Sequence, residues 1–230
     1  MTFRFEKEID RLKKQILNLG AVVEERLHLA VQALQMQDQV CAKRVIDGDF
    51  EIDQLEVDLE EECLKLLALY QPVAIDLRFI IAVLKINNDL ERIGDLAVNI
   101  SERSMYYCSQ SENEMPVDFE PMSTYVKRML KNSLDSLVNK DTSLAFQVLE
   151  EDDFVDRAHV KNIEFISKKM KEDPERIDCL QNLLSASRHL ERIADQATNI
   201  AEDVIYMIEG NIIRHRAEIY RHRADKEDKT

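Results

Sequence analysis

Two stretches of this chain carry the same spaced set of carboxylate and amide side chains. The segment 89–102 matches the segment 189–202 at nine of 14 positions, with an offset of 100 residues. In each copy a Glu is followed by an Asp four residues later and by an Asn and a Glu on the next two turns. Successive residues of an α-helix are 100° apart, so these side chains share one face. They are Glu91, Asp95, Asn99 and Glu102 in the first copy and Glu191, Asp195, Asn199 and Glu202 in the second.

A second acidic pattern lies upstream of each copy. Both instances read D-x-x-[IV]-D and place two carboxylates four residues apart. If the helix that carries this pattern packs beside the helix that carries the longer motif, one acidic cluster forms in each half of the chain. The residues concerned are Asp49 and Asp53 in the first half and Asp152 and Asp156 in the second.

Such a cluster has the chemistry of a metal site. Carboxylate and amide oxygens are hard ligands for cations. Carboxylates at i and i+4 repel each other unless something neutralises them, and Asn rather than Lys shares this face. We therefore predict divalent or transition metal ions on two acidic surfaces opposite the core. The alternative, a solvated face of an amphipathic helix that binds nothing, stays open.

Composition and periodicity indicate that long helices position these residues. Four Gly and four Pro in 230 residues are too few for the turns of a β-rich fold. Apolar residues recur at helical spacing almost throughout. The pattern predicts an all-α protein of six helices over about 3–36, 38–70, 74–108, 122–138, 142–171 and 174–209, with Asp38, Asp141 and Asp173 as N-caps and Gly210 as a C-cap.

The repeat divides the six helices into two sets of three. Pro72 and Pro174 stand at equivalent points, before the third helix of each set. Two copies of one three-helix unit explain this layout. The predicted organisation is a first bundle over 1–110, a linker over 111–121, a second bundle over 122–210 and a charged tail over 211–230.

The charge of the chain excludes several function classes. A net charge of −14 and a pI near 4.9 disfavour binding to nucleic acid. The N-terminus lacks the apolar region of a secretory signal, and the longest apolar run, 79–84, is far too short to span a membrane. We therefore expect a cytoplasmic protein that neither binds nucleic acid nor inserts into a membrane.

The doubled motif, L-E-R-I-[GA]-D followed by N-I-[SA]-E, resembles the PhoU family. The stretch Y-Q-P-V-A-I-D-L-R at 70–78 and the ending at 206–215 are similar to the same family. The resemblance extends over residues 3 to about 216. It implies two homologous antiparallel three-helix bundles related by a pseudo-two-fold axis, each with an E/D-x-x-x-D motif that can bind a metal cluster.

The resemblance also implies a function and partners. The family restrains phosphate uptake and lowers the output of the phosphate-starvation response, without being enzymatic. Its implied partners are the ATPase subunit of the phosphate ABC transporter and a membrane sensor histidine kinase, with a homodimer as a further option. The implied metals are multinuclear iron or zinc, with occupancy that varies among relatives.

The two copies differ in ways that bear on metal binding. Residue 94 is Gly where residue 194 is Ala, and His159 and Ile163 stand where the first half has Glu56 and Glu60. We therefore expect the second cluster to hold fewer metal ions or to bind them more weakly.

Two rival functions remain at this stage. One is a helical adaptor whose acids bind no metal. The other is a di-iron carboxylate enzyme, for which Glu25-x-x-His28 and Asp156-x-x-His159 offer imperfect ligand pairs. Such an enzyme needs these ligands to point into the core of a bundle.

Overall fold

Helices account for nearly all of the structure that positions the acidic residues. The computed structural model describes residues 2–110 and 115–211. The α-helices, in chain order, are α1 Thr2–Met36, α2 Gln39–Asp47, α3 Asp49–Tyr70, α4 Ala74–Gln110, α5 Glu120–Asn139, α6 Thr142–Glu172 and α7 Ile177–Glu209, with a 3₁₀ turn at Pro174–Arg176. The predicted tail beyond residue 211 lies outside the described residues.

The helices form the two three-helix bundles that the repeat predicts. The first comprises α1, the pair α2 and α3, and α4; the second comprises α5, α6 and α7. The motif-bearing helices α4 and α7 pack against each other at the centre of the molecule. The all-α, two-bundle prediction is confirmed. Within the described ranges, no helix is both long and apolar enough to span a membrane.

Helix ends follow local chemistry in most places. The side chain of Asp38 accepts from the backbone N–H groups of Val40 and Cys41, and Asp141 caps α6 in the same way. Gly210 ends α7 in the left-handed region at φ 76°. Asp173 occupies the predicted N-cap position before Pro174, but it begins a 3₁₀ turn and not α7 itself, and its side chain makes no cap bond.

The second predicted helix is interrupted at Gly48, which corrects the single helix expected over 38–70. A Cβ atom at Gly48 would lie 2.8 Å from the Arg26 guanidinium carbon. Arg26, only 8% exposed, passes from α1 beneath this glycine and reaches Glu51 with Nη2–Oε2 at 2.6 Å. The break therefore makes room for a buried cation next to the first residue of α3.

The difference between Gly94 and Ala194 has a packing cause. A Cβ atom at Gly94 would lie 2.9 Å from Cδ1 of Ile52 on α3. In the second bundle the residue equivalent to Ile52 is Val155, which lacks that terminal methyl group. The first bundle therefore has the extra carbon on α3, in Ile52, and the second bundle has it on α7, in Ala194. In both bundles the two acid-bearing helices can approach closely.

This exchange predicts a compensating pair of substitutions. Gly94→Ala should destabilise the protein by about 1 kcal/mol, because overpacking costs about 1–3 kcal/mol and outweighs the roughly 1 kcal/mol gain in helix propensity. Adding Ile52→Val should recover the loss. Denaturant unfolding of the four proteins of the cycle measures the coupling. Additive effects of the two substitutions would contradict this account.

Candidate metal centre

The first acidic site lies where α3 faces α4. We call it site 1 and define it by Asp49 and Asp53 on α3 and Glu91 and Asp95 on α4. Gly94 lies between the two α4 acids, and its close approach to Ile52 brings the two helices together at this level. The chain therefore juxtaposes the two motifs that the sequence analysis paired.

The carboxylates of site 1 repel one another. Partial burial raises the pKa of Asp49, and the charges of Asp53 and Asp95 raise it further. Burial likewise raises the pKa of Glu91, with Asp95 and Glu56 adding to the effect. The pKa of Asp95 is raised by desolvation and by Asp53. Each of these shifts reports a negative charge that lacks enough counter-charge.

The second acidic site repeats the arrangement where α6 faces α7. We call it site 2 and define it by Asp152, Asp156, Glu191 and Asp195. Burial, followed by Asp156 and Asp195, raises the pKa of Asp152 to about 7. Desolvation, followed by Glu191 and Asp156, raises that of Asp195 to about 6. Site 2 is thus the more strongly perturbed of the two, although Arg192 partly offsets the repulsion at Asp195.

One carboxylate oxygen is orphaned in each site, at equivalent positions. Oδ1 of Asp49 and Oδ1 of Asp152 are buried and have no hydrogen-bond partner. A buried carboxylate oxygen without a donor is costly, and a cation removes that cost. The donor set, all carboxylate oxygen, suits hard and borderline divalent ions. The residues present therefore fit a metal ion.

The side chains are not yet gathered around a single point. In the described part of the chain, no group of three or more His, Cys, Asp or Glu side chains is already placed to hold one ion. Asp53, Asp95, Asp156 and Asp195 are exposed side chains on helix surfaces.

The other predicted ligands lie beyond these sites along the same faces. Asn99 and Glu102 follow Asp95 by one and two turns of α4, and Asn99 donates through Nδ2 to the backbone oxygen of Asp95 at 2.8 Å. Asn199 and Glu202 occupy the same places on α7. The acids that raise the pKa values within each site are its own members and their immediate neighbours. These four residues therefore extend the sites.

The histidines take other roles. His159 lies with Nδ1 2.9 Å from the hydroxyl oxygen of Ser187, and burial lowers its pKa, as does Arg188. His189 lies off the acidic face, and its pKa is lowered to about 4 by burial and by Arg103 and Arg192. Glu25 and His28 are exposed on α1, so they form no core ligand pair and the di-iron enzyme prediction fails.

Two contributors to site 1 were not among the predicted ligands. Arg26 is the cation that lowers the pKa of Asp49 against the stronger effects of burial and repulsion. Its only sequence signal is Gly48, which by itself indicates no partner. Glu56 adds charge beside Glu91 and is tied to α4, because Asn87 donates to its backbone oxygen and to Oε1 at 3.0 and 3.2 Å.

The raised pKa of Asp152 predicts how the stability of the metal-free protein depends on pH. An acid whose pKa is higher in the folded state stabilises that state while protonated, and this stability is lost as pH rises toward 7. Chelator-treated protein should therefore become less stable between pH 4 and 8. At pH 8 Asp152→Asn should raise the free energy of unfolding by roughly 1 kcal/mol, well below full linkage because solvent screens the partly exposed group.

Urea unfolding at several pH values measures this effect. The exposed Asp173 provides a matched control, and Asp173→Asn should leave the pH profile unchanged. Identical pH profiles of stability for the native chain and Asp152→Asn would contradict a raised pKa of Asp152 in the folded protein.

Comparisons with known proteins agree with this architecture. The family model described as PhoU domain matches residues 16–104 and 119–204, one match for each bundle. A phosphate-specific transport system accessory protein PhoU homolog from Aquifex aeolicus is 41% identical over 210 residues, covering 91% of this chain and 95% of that protein. The Escherichia coli accessory protein PhoU is 32% identical over 212 residues, covering 92% and 88%.

Solved structures give the same result. The crystal structure of PhoU from Pseudomonas aeruginosa superposes with a TM-score of 0.87 at 37% identity, covering 90% of this chain and 100% of that one. The phosphate transport system regulatory protein PhoU from Streptococcus pneumoniae gives 0.84 at 30% identity, covering 90% and 98%. These names describe accessory and regulatory proteins and not enzymes. With both bundles matched by the family model, the chain belongs to the PhoU family.

Proposed function

We propose that this protein is an accessory regulator of phosphate transport. The observation that carries the proposal is similarity along almost the whole chain, at 32–41% identity, to proteins named as accessory to the phosphate-specific transport system. The similarity spans both bundles, so it concerns the complete two-bundle unit and not one shared module.

The regulator acts negatively and through membrane-bound partners. It lowers the output of the phosphate-starvation response and restrains uptake when phosphate is plentiful. Its partners are the ATPase subunit of the phosphate transporter and a membrane sensor histidine kinase, which recruit it to the cytoplasmic face. Long helical faces with both acidic and apolar exposed residues offer separate surfaces for two partners.

Metal ions bind at sites 1 and 2. Asp49, Asp53, Glu91 and Asp95 hold metal in the first bundle, and Asp152, Asp156, Glu191 and Asp195 hold it in the second. The ion supplies positive charge on a surface that is otherwise strongly negative. The support is the pair of buried carboxylate oxygens without a hydrogen-bond partner, together with the pKa values that burial and then the neighbouring carboxylates raise. Iron and zinc are the metals to test first.

A deletion and complementation experiment tests the regulatory role. The gene is deleted in its host, and phosphatase expression is followed in high phosphate. The deletion should raise expression, and the native gene supplied in trans should restore repression. Unchanged repression in the deletion strain would overturn the proposal, whatever metal the protein binds.

A further inference from the structure

Helices α4 and α7 pack against each other, and the internal repeat makes the two ends of their interface equivalent. The two ends differ in the charged residues that meet there. At one end Lys85 on α4 meets Asp203 on α7, with Nζ and Oδ1 3.0 Å apart. The same ammonium lies 5.4 Å from the ring centroid of Tyr206. This end is closed by a salt bridge whose carboxylate is nearly inaccessible to solvent.

The other end lacks that salt bridge. The repeat places Ser185 where the first end has Lys85, and Arg103 where it has Asp203. Here α4 and α7 leave a cavity of about 340 Å³ with almost wholly polar walls. Its lining residues are Arg103, Tyr106, Asp178, Gln181, Asn182 and Ser185.

The guanidinium of Arg103 is incompletely bonded in this cavity. Its Nη1 donates to Oδ1 of Asn182 across a long 3.5 Å, and its Nε is buried with no hydrogen-bond partner. A buried cationic N–H without an acceptor is costly, and native proteins seldom leave one unmet. The missing partner is an acceptor, and an anion supplies both an acceptor and the counter-charge.

We propose that this cavity binds one inorganic phosphate ion. Arg103 lines the cavity and supplies the positive charge of its guanidinium, and the Ser185 hydroxyl and the Gln181 amide add neutral donors. Arginine suits this task because its fork of N–H groups matches the oxygens of phosphate. The choice of phosphate over other oxyanions rests on the proposed function and on the hydrogen-bond acceptors in the cavity lining. The assignment of an anion site rests on the cavity alone.

The acceptors in the lining select the protonated oxyanion. The exposed carboxylate of Asp178 and Oδ1 of Asn182 have no proton to give. Hydrogen phosphate carries a proton at neutral pH and can donate it to Asp178, whereas sulfate has none to donate. A site built to accept a hydrogen bond rejects a ligand that cannot make it.

The surrounding charge favours an anion despite the acidity of the chain. Arg103 acts together with Arg188 and Arg192, which lie within two turns of Ser185 on α7, and all three act on His189 between them. These arginines place positive charge near this end of the α4–α7 packing, while Arg188 and Arg192 also act on Glu191 of site 2 and Asp178 lies in the cavity wall.

Equilibrium dialysis with radiolabelled phosphate tests the proposal on the full-length, chelator-treated protein, so that bound metal cannot hold the anion. We expect saturable binding of one phosphate per chain. Arg103→Gln should weaken it at least tenfold, because a charge-assisted bond is lost. Arg92→Gln, which removes an exposed arginine from the same helix, is the matched control and should leave binding within twofold.

A second variant keeps the proposal testable if Arg103→Gln fails to fold. Ser185→Asp places a carboxylate opposite Arg103, as Asp203 stands opposite Lys85, and should abolish phosphate binding with the melting temperature kept or raised. Sulfate should bind at least tenfold more weakly than phosphate, and Asp178→Asn should reduce that preference.

Three results would overturn the proposal. They are no saturable binding at millimolar phosphate, binding that survives both Arg103→Gln and Ser185→Asp, and sulfate binding as tight as phosphate binding. Any of these would leave the deletion phenotype unaffected, so failure of this site and failure of the regulatory role are distinguishable.

Discussion

Replacing Glu191 and Asp195 with their amides should stabilise the metal-free protein and remove the share of metal-dependent stabilisation that site 2 is proposed to contribute. The amides keep the shape of the side chains and carry no charge, so they avoid the desolvation and the carboxylate repulsion that raise the pKa values at site 2. A metal at 100 times its dissociation constant adds about 2.7 kcal/mol, roughly 5–10 °C for a chain of this size. Calorimetry with and without iron or zinc measures both effects.

The chain contains its own control for this experiment. Glu6 and Asp10 have the same i, i+4 spacing on an exposed face of α1, where the exposed Asp10–Lys13 pair at 3.1 Å contributes little to stability. Amides at these positions should change neither the metal-free stability nor the response to metal. The Glu91→Gln/Asp95→Asn pair should remove the response of site 1 while leaving that of site 2. A metal response that persists with both sites substituted would place the metal elsewhere.

Lys85→Met should lower the melting temperature by on the order of 10 °C, because it leaves the carboxylate of Asp203 without its ammonium partner. The Asp203 side chain is 2% exposed and that of Lys85 is 39% exposed, so the loss lies at the lower end of the about 3–5 kcal/mol that breaking a buried pair from one side costs. The pair joins α4 to α7 and is therefore one of the contacts that hold the two bundles together. Thermal unfolding monitored by circular dichroism measures the change.

Two further variants separate this effect from a general loss of charge. Lys168→Met removes an exposed ion pair with Glu172 at 3.8 Å and should cost less than about 0.5 kcal/mol. Lys85→Met/Asp203→Leu should recover most of the stability, since replacing both partners leaves no buried charge unpaired. If Lys85→Met were as mild as Lys168→Met, the ion pair would not be holding the bundles together.

The sequence predicts those features that depend on spacing along one helix. Glu91 and Asp95 fall on one face because four residues span about one turn, and Asp141 caps α6 because its side chain reaches the next backbone N–H groups. The internal repeat then pairs each motif helix with an upstream acidic helix. The juxtaposition of Asp49 with Asp95 follows from that pairing, and the structure contains it.

Spacing along one helix does not predict features that depend on contact between segments distant in the sequence. The break at Gly48 exists because Arg26, 22 positions earlier, needs space beneath it. The exchange of one carbon between Gly94 and Ile52 becomes visible only when α3 lies against α4. The cavity at Arg103 depends on how α4 packs against α7, and no periodicity in either helix reports an unpaired guanidinium.

The most direct test of the account is phosphatase expression in high phosphate, measured in the deletion strain complemented with the quadruple variant Glu91→Gln/Asp95→Asn/Glu191→Gln/Asp195→Asn. Asp95 and Asp195 are exposed, Glu91 and Glu191 are half-buried, and the amides keep the shape of all four side chains, so the variant should accumulate to the level of the native protein. We predict expression as high as in the uncomplemented deletion, because both metal sites are lost. Full repression by this variant would contradict the claim that regulation requires the acidic sites.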